Sequence, residues 1–385
     1  MIPTLLGVLT LLMAAFTLLP LTRLRHWSVR IMDFPRLQLA VLWAALLVAD
    51  LLVGELSTGL RLTLAFIALA GLIYQAQWII PYTRLARCES GVAQHSDPAR
   101  HVRLLTANVL TSNHDSDALL AIVRREQPDV LVTLESDGWW ESRLDVLEGD
   151  EPEHGYRHTL KCPLDNLYGM HVYSRLPLHD ASIDYLVEDD VPSMHAHLEL
   201  KSGDRIRAHF LHPAPPSPTE NEESSERDAE LVIVAKSVAE SEQPIIVTGD
   251  LNDVAWSRTT RLFRKLSGLL DPRVGRGMFN TFHASIPLLR WPLDHLFHSR
   301  HFSVVRVARM EAFGSDHFPL LTELALTPNQ KTRATQLQDI LKDRTHARDQ
   351  QRHHPSPALR TQSLRQRHDQ HLRRRRPRSH PRPGQ

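Results

Sequence analysis

The sequence predicts an α+β domain carried behind three transmembrane helices and followed by an unstructured basic tail. Three apolar runs crowd residues 1–83, alternating strand and helix patterns fill residues 101–327, and Arg, His and Gln dominate residues 328–385. A chain of 385 residues has room for one large domain plus additions. Its formal net charge of +1 conceals a division. From Lys331 onward two Lys and thirteen Arg face four Asp, so the tail is strongly basic and the rest of the chain acidic. The two cysteines, Cys88 and Cys162, cannot make a disulfide framework and match no zinc-ligand spacing.

The spans come first. Residues 2–21 carry no charged side chain and have about the length that crosses a bilayer as a helix. A second run covers about 37–55 and a third about 61–80, the latter ending near Trp78 and Tyr82, which suit an interface. A cleaved signal peptide would need a basic start and a small-residue cleavage site before Arg23, and neither is there. Arg23, Arg25, Arg30 and Arg36 lie between spans one and two, only Arg61 between two and three, and Arg84 and Arg87 after the third. That bias places the N-terminus outside and everything after Tyr82 in the cytoplasm, as in an integral protein of a bacterial inner membrane. Asp50, close to the end of span two, reads as interfacial.

Residues 84–100 are polar, with Gly91 and Pro98, and read as a linker. At His101 the pattern changes to strands and helices: HVRLLTANVL is a strand ending at Asn108, DALLAIVRREQ has amphipathic helical spacing, and DVLVTL is a strand delivering Glu135. Residues 141–164 look irregular, and Gly169–Tyr173 forms a strand closing on Ser174 and Arg175. His195–Leu200 and Ile206–Leu211 pair as a hairpin finishing at His212, and the Pro-, Ser- and Glu-rich 213–225 is a loop. The helix ERDAELVIVAKSVAES leads into PIIVTGDLND, a β-branched strand with Asp250 and Asn252 just past its apolar run. A further strand zone holds Asp294 in PLDHLF, Val304–Val307 is a strand, and the turn Gly314–His317 precedes the last strand, PLLTEL. Beyond Pro328 apolar patterning vanishes. Such a segment buries too little surface to offset its ordering entropy, apart from a short helix near Thr335–Leu341.

The polar residues that end strands or fill tight turns are Asn108, Glu135, His212, Asp250, Asn252, Asp294, Asp316 and His317. Their oxygens suit a hard cation such as Mg²⁺, with Mn²⁺ as a substitute, and the two histidines suit proton transfer. Taken singly each has a plainer reading. Gly-Asp and Asn-Asp pairs cap helices, His212 is an ordinary core or surface histidine, and Trp139 and Trp140 are packing residues. Nucleophilic hydrolysis finds no GxSxG elbow or Cys–His neighbour, and no Walker loop or GxGxxG occurs.

Over about Val102–Leu326 the chain resembles the endonuclease/exonuclease/phosphatase superfamily through ordered motifs: TANV, TLES, LHPAP, GDLND, PLDHLF and GSDHFPL. The resemblance implies a four-layer α/β/β/α sandwich of the deoxyribonuclease I-like type across residues 101–327. It also implies a metal site of Asn108, Glu135 and Asp316, and a catalytic set of His212, Asp250, Asn252, Asp294 and His317. Glu135 would be the principal Mg²⁺ ligand, and Asp294 would hold His317. Asn166 and Arg175, in DNLYGMHVYSR, are further candidates for phosphate contacts. The function expected is membrane-anchored phosphoester hydrolysis by metal-assisted attack of water, on nucleic acid or a phospholipid head group. A catalytically inactive binding module of the same fold is the alternative. The acidic body offers no broad basic groove for duplex nucleic acid, while the basic tail suits anionic lipid or nucleic acid.

Overall fold

The computed structural model describes residues 1–54, 56–94, 96–149 and 155–327. The basic tail, with the helix expected near Thr335–Leu341, lies outside the described residues. The N-terminal region folds as helices α1 (Ile2–Leu18), α2 (Trp27–Arg30), α3 (Arg36–Leu52) and α4 (Thr58–Ile79). Ser57 caps α4 by accepting the Leu60 N–H. With their terminal 3₁₀ turns, α1 and α4 form two apolar segments, Ile2–Leu21 and Thr58–Tyr82, long enough to cross a membrane. The α2 and α3 segments, bent by 69°, make a third if counted as one span. The helices close around Trp43, whose indole donates to Thr17 Oγ1 at 2.9 Å. Gly71 makes room for that ring, since a Cβ there would lie 2.4 Å from it.

The remainder runs β1 (His101–Asn108), α5 (Ser116–Glu126), β2 (Val130–Leu134), α6 (Gly138–Leu144), β3 (His158–Cys162), β4 (Met170–Ser174), β5 (Leu178–Asp184), β6 (Ser193–Glu199), β7 (Arg205–Leu211), α7 (Ser225–Ala239), β8 (Ile245–Asp250), α8 (Arg258–Ser267), β9 (Asp294–His298), β10 (Phe302–Arg309) and β11 (Leu320–Leu326). Two mixed sheets result, ordered β10-β11-β1-β2-β4-β3 and β5-β6-β7-β8-β9. Strand periodicity explains how they meet. Successive side chains point to opposite faces, so Leu104 and Val132 enter a core shared with Ala208, Phe210 and Ile246 of the second sheet. Leu105 and Leu131 point the other way, onto Leu119 and Val123 of α5 and Trp140 of α6. On the far side, Phe263 of α8 packs on Phe297 of β9, ring centroids 5.3 Å apart. Each fully buried Leu or Phe contributes roughly 1.5–3 kcal/mol.

One polar contact joins the sheets inside this core. Thr248 Oγ1 donates to the His295 carbonyl at 2.8 Å, which leaves it to accept from Thr106 Oγ1 at 2.8 Å. Two elements fall where the sequence looked irregular, α6 and the edge strand β3. Helix α6 is capped by Asp137, which accepts the Trp140 N–H. The stretch read as a linker lies along the domain: Val92 bridges Val304, and Ser90 Oγ pairs with His298 Nε2 at 2.8 Å.

Gly249 shows how tightly β8 is seated. Its φ of +148° suits glycine, and a Cβ there would fall 1.8 Å from the Leu211 carbonyl oxygen of β7. Gly249→Ala should therefore lower unfolding stability by at least about 3 kcal/mol, read from denaturant unfolding of the solubilised chain.

Candidate active site

Strand register brings the polar residues to one end of both sheets. Asn108, the last residue of β1, pairs in parallel with Leu134, so Glu135 follows at the same level. In the second sheet Leu211 pairs with Gly249, setting His212 beside Asp250, and Asp250 faces Asp294, the first residue of antiparallel β9. The turn before β11 returns His317 to the same place, because β11 begins opposite Thr106 of β1. Ser315 fastens that turn by donating to the Asn108 carbonyl at 2.8 Å and accepting the His317 N–H at 3.0 Å.

The side chains then form a continuous chain of hydrogen bonds and one ion pair. Asn108 Nδ2 donates to Glu135 Oε1 at 2.7 Å and to Asp250 Oδ2 at 3.2 Å, joining carboxylates from opposite sheets. Asp250 Oδ2 lies 3.5 Å from His317 Nε2, and His317 Nδ1 lies 2.7 Å from Asp294 Oδ2. The other oxygen of Asp250 accepts the Asn252 N–H at 2.8 Å, so Asp250 serves the turn and the cluster at once. Asn252 turns its own amide to the Pro213 carbonyl at 3.1 Å. Glu135 and Asn252 both adopt left-handed backbone, with φ of 58° and 50°, strain that a non-glycine residue tolerates only where its surroundings fix it. The Glu135 carbonyl is held by Thr111 Oγ1 at 2.7 Å.

Electrostatics follow from burial of this many charges. Burial drives the Glu135 carboxyl up to about 7, the Asn108 hydrogen bond and His317 opposing, and Asp250 and Asp316 adding their repulsion. Burial disfavours a charged His317, yet Asp294, Asp250 and Asp316 outweigh it and lift the imidazole to about 10. Asp250 is held below the usual carboxylate range, His317 overcoming the effect of burial. His212 goes the other way, pushed down to about 4 by burial, so it stands neutral with its ring 5.5 Å from that of Tyr168.

Two of the residues expected at the site are placed differently from the rest. Asn166 lies on the turn before β4 and donates to the Asp190 carbonyl at 3.0 Å. Arg175 is not brought to the cluster. It follows the end of β4 that pairs with Val130, at the opposite edge of the sheet, and its guanidinium lies over Tyr156 at 4.8 Å. Asp316 is half-buried on the His317 turn, its carbonyl accepting the Ala284 N–H at 2.6 Å.

Several supporting residues escaped the sequence reading. Arg273, 1% exposed, pairs with Asp271 at 2.9 Å and donates to the Asp294 carbonyl at 3.1 Å. Arg227 of α7 donates to the Asn252 carbonyl at 2.8 Å. Tyr168 hydrogen-bonds Glu220 beside His212. No periodicity marks these residues; only the improbability of a buried guanidinium without a carboxylate hints at Arg227 and Arg273.

The donor set fits a hard divalent cation. It is oxygen-rich and lacks thiolates, Glu135 and Asp250 are crowded acids, and Asp294 Oδ1 is buried without a hydrogen-bond partner. Asp250, Asp294 and His317 present ligand atoms all within 4.8 Å of one another. His317 already occupies the space between the two aspartates as a cation in its own right. Replacing Asp294 by Asn should bring the His317 pKa down from about 10 toward the ordinary 6.5. The titration of its ring resonances, assigned against His317→Gln, checks this.

Residues 105–317, more than half of the chain, match the Endonuclease/Exonuclease/phosphatase family. No curated protein matches the chain. Among solved structures, the human Nocturnin catalytic domain with bound sulfate is similar at 18% identity and a TM-score of 0.49, over 60% of this chain and 96% of that one. An endonuclease/exonuclease/phosphatase from Beutenbergia cavernae is similar at 19% identity and a TM-score of 0.44, over 59% and 72%. The Bacteroides thetaiotaomicron mannosyl-6-phosphatase Bt3783 is similar at 18% identity and 0.43, over 58% and 100%. With strand-end polar residues converging as described and the family match spanning both sheets, the chain belongs to the Endonuclease/Exonuclease/phosphatase family.

Proposed function

We propose that this protein is a membrane-anchored, Mg²⁺-dependent hydrolase of phosphoesters, with its active site at the Glu135–Asn108–Asp250–His317–Asp294 chain. The observation that carries the reading is the Asn108 amide bridging Glu135 and Asp250, because it fixes two buried acids from different sheets at one point. Glu135, Asn108 and Asp316 would hold the cation, with Asp250 adjoining. When bound, a divalent ion supplies Lewis-acid polarisation of a phosphoryl oxygen and stabilises charge on the leaving oxygen.

The chain's own residues divide the remaining work. Asp250, ionised and oriented by Asn108 and the Asn252 N–H, is the group that receives a proton from the attacking water. His317, held charged by Asp294, presents positive charge toward the phosphoryl oxygens and cannot itself be the base while protonated. Neutral His212 and the Asn252 region border the same space and orient the phosphate. In the balanced reaction, water oxygen bonds to phosphorus and the P–O bond to the leaving group breaks. The leaving oxygen departs with the bonding pair, and one water proton passes through Asp250 to solvent or to that oxygen.

Anchoring rests on the apolar segments Ile2–Leu21 and Thr58–Tyr82, with α3 between them as the third span and α2 outside the bilayer against the catalytic domain, where the Trp27 N–H donates to the Glu222 carbonyl at 2.9 Å. Three spans put the arginine-bearing connection Arg23–Arg36 and the catalytic domain on one side, the cytoplasmic one by the charge rule.

The test uses the full chain in lipid nanodiscs, stripped of metal and then given Mg²⁺, with methyl p-nitrophenyl phosphate as substrate. Hydrolysis should require the cation, and Glu135→Gln and Asp250→Asn should each lower kcat/KM by about a thousandfold. Equal rates for parent and both variants would reject the reading.

A further inference from the structure

The loop between α8 and β9 joins the site to the helical region. Its stem is a hairpin: Phe282 bridges Trp291, and the His283 N–H donates to the Leu289 carbonyl at 3.0 Å. The base of the stem touches the active site. The Phe282 ring lies 4.9 Å from that of His317, and the Ala284 N–H donates to the Asp316 carbonyl at 2.6 Å. The tip, residues 285–289, is exposed throughout and reads Ser-Ile-Pro-Leu-Leu. Ile286 is 41%, Leu288 82% and Leu289 43% exposed, with no charged residue among them.

A solvent-facing loop tip is ordinarily polar, and three large apolar side chains exposed within four residues of one tip mark an interaction surface. Its neighbour identifies the occupant. Gln38, in the first turn of α3, donates to the Leu288 carbonyl at 2.8 Å, and Phe34 packs on Trp291 at 5.7 Å. Leu37 and Val41 on that helix are themselves exposed, so the apolar tip continues the outward face of α3. The neighbouring cations Arg290 and Arg309 both lie over the Phe318 ring, at 5.0 and 4.3 Å, and Arg290 also donates to the Ala284 carbonyl at 2.8 Å. Residues 285–289 themselves carry no basic group that would engage a nucleic-acid backbone. The second loop of the site is fastened in the same way. Ala255 and Trp256, just past GDLND, bond to Tyr82 and to the Asp33 carbonyl, each at 2.8 Å.

We propose that residues 285–289 dip into the lipid leaflet that α3 enters, so that the cleft opens at the bilayer surface and the substrate is a phosphoester carried on a membrane amphiphile. This rests on the reading of the chain as an anchored phosphoesterase and adds the substrate class. A head group diffusing in the plane of the leaflet meets Asp316 and His317 at the foot of the loop while its hydrocarbon stays beside Ile286 and Leu288.

The test compares one reaction with and without a lipid anchor, using the full chain in nanodiscs of phosphatidylethanolamine and phosphatidylglycerol with Mg²⁺. The substrates are methyl p-nitrophenyl phosphate in solution and hexadecyl p-nitrophenyl phosphate in the bilayer. In each, water forms the new P–O bond and p-nitrophenolate leaves with the bonding pair. The anchored diester should be hydrolysed with about tenfold or greater kcat/KM, and Leu288→Asp should abolish that preference while leaving the methyl ester unaffected. Equal kcat/KM for both diesters, an unchanged preference in Leu288→Asp, or a single-stranded oligonucleotide cut in preference to the anchored diester would overturn the inference. A second readout is independent of turnover. Leu288→Cys, in a background with Cys88 and Cys162 replaced by Ser, carries an environment-sensitive fluorophore. Emission should shift to the blue and be quenched by spin-labelled lipid, and a water-like, unquenched emission would overturn the lip even if catalysis were intact. Loss of all hydrolysis with a buried fluorophore would instead retain the lip and reject the phosphoesterase reading together with the substrate class built on it.

Discussion

The amide of Asn108 holds together two acids that would otherwise repel. Glu135 belongs to one sheet and Asp250 to the other, and both donor bonds come from the same nitrogen, at 2.7 and 3.2 Å. The geometry requires β1 and β8 to end level on opposite sheets, an alignment held by the Thr106–Thr248 hydrogen bond between them. Moving either strand by one residue would turn its side chains to the opposite face and separate the pair. Seating β8 against β7 through Gly249 belongs to the same constraint, as does the strained backbone of Glu135 and Asn252.

Charge balance is the second organising feature. Several acids converge in a region of low exposure, and the described residues answer with a protonated His317 and with guanidiniums placed one layer behind, Arg273 on the Asp294 carbonyl and Arg227 on the Asn252 carbonyl. The two guanidiniums find their counter-charges in other carboxylates, Asp271 for Arg273 and Asp253 for Arg227, so they hold the loops without neutralising the acids in front. A site that keeps its carboxylates under-compensated is suited to receive a cation.

Much of this was legible from sequence for a reason that also explains the failures. A polar residue at the C-terminal end of a parallel strand lands at one predictable edge, so Asn108, Glu135, His212 and Asp250 could be picked out by position. Asp294 works in mirror image, as the first residue of antiparallel β9. Arg175 follows the last residue of antiparallel β4 and therefore stands at the wrong edge, which strand ends alone do not reveal without knowing the pairing direction. Edge strand β3 escaped because His158–Cys162 is partly exposed and lacks a continuous apolar run, and α6 because it is only seven residues long. The apolar tip at 286–289 was invisible as a surface, since only the fold determines that those leucines face outward.

The most direct test of the central claim is Mn²⁺ binding to the metal-stripped full chain, followed by electron paramagnetic resonance at constant pH. A convergent site predicts one tightly held ion per chain, displaced by Mg²⁺ and lost in both Glu135→Gln and Asp250→Asn, although these residues come from different sheets. Unaltered binding in either variant, or no binding to the parent, would contradict a single shared cation site at these strand ends.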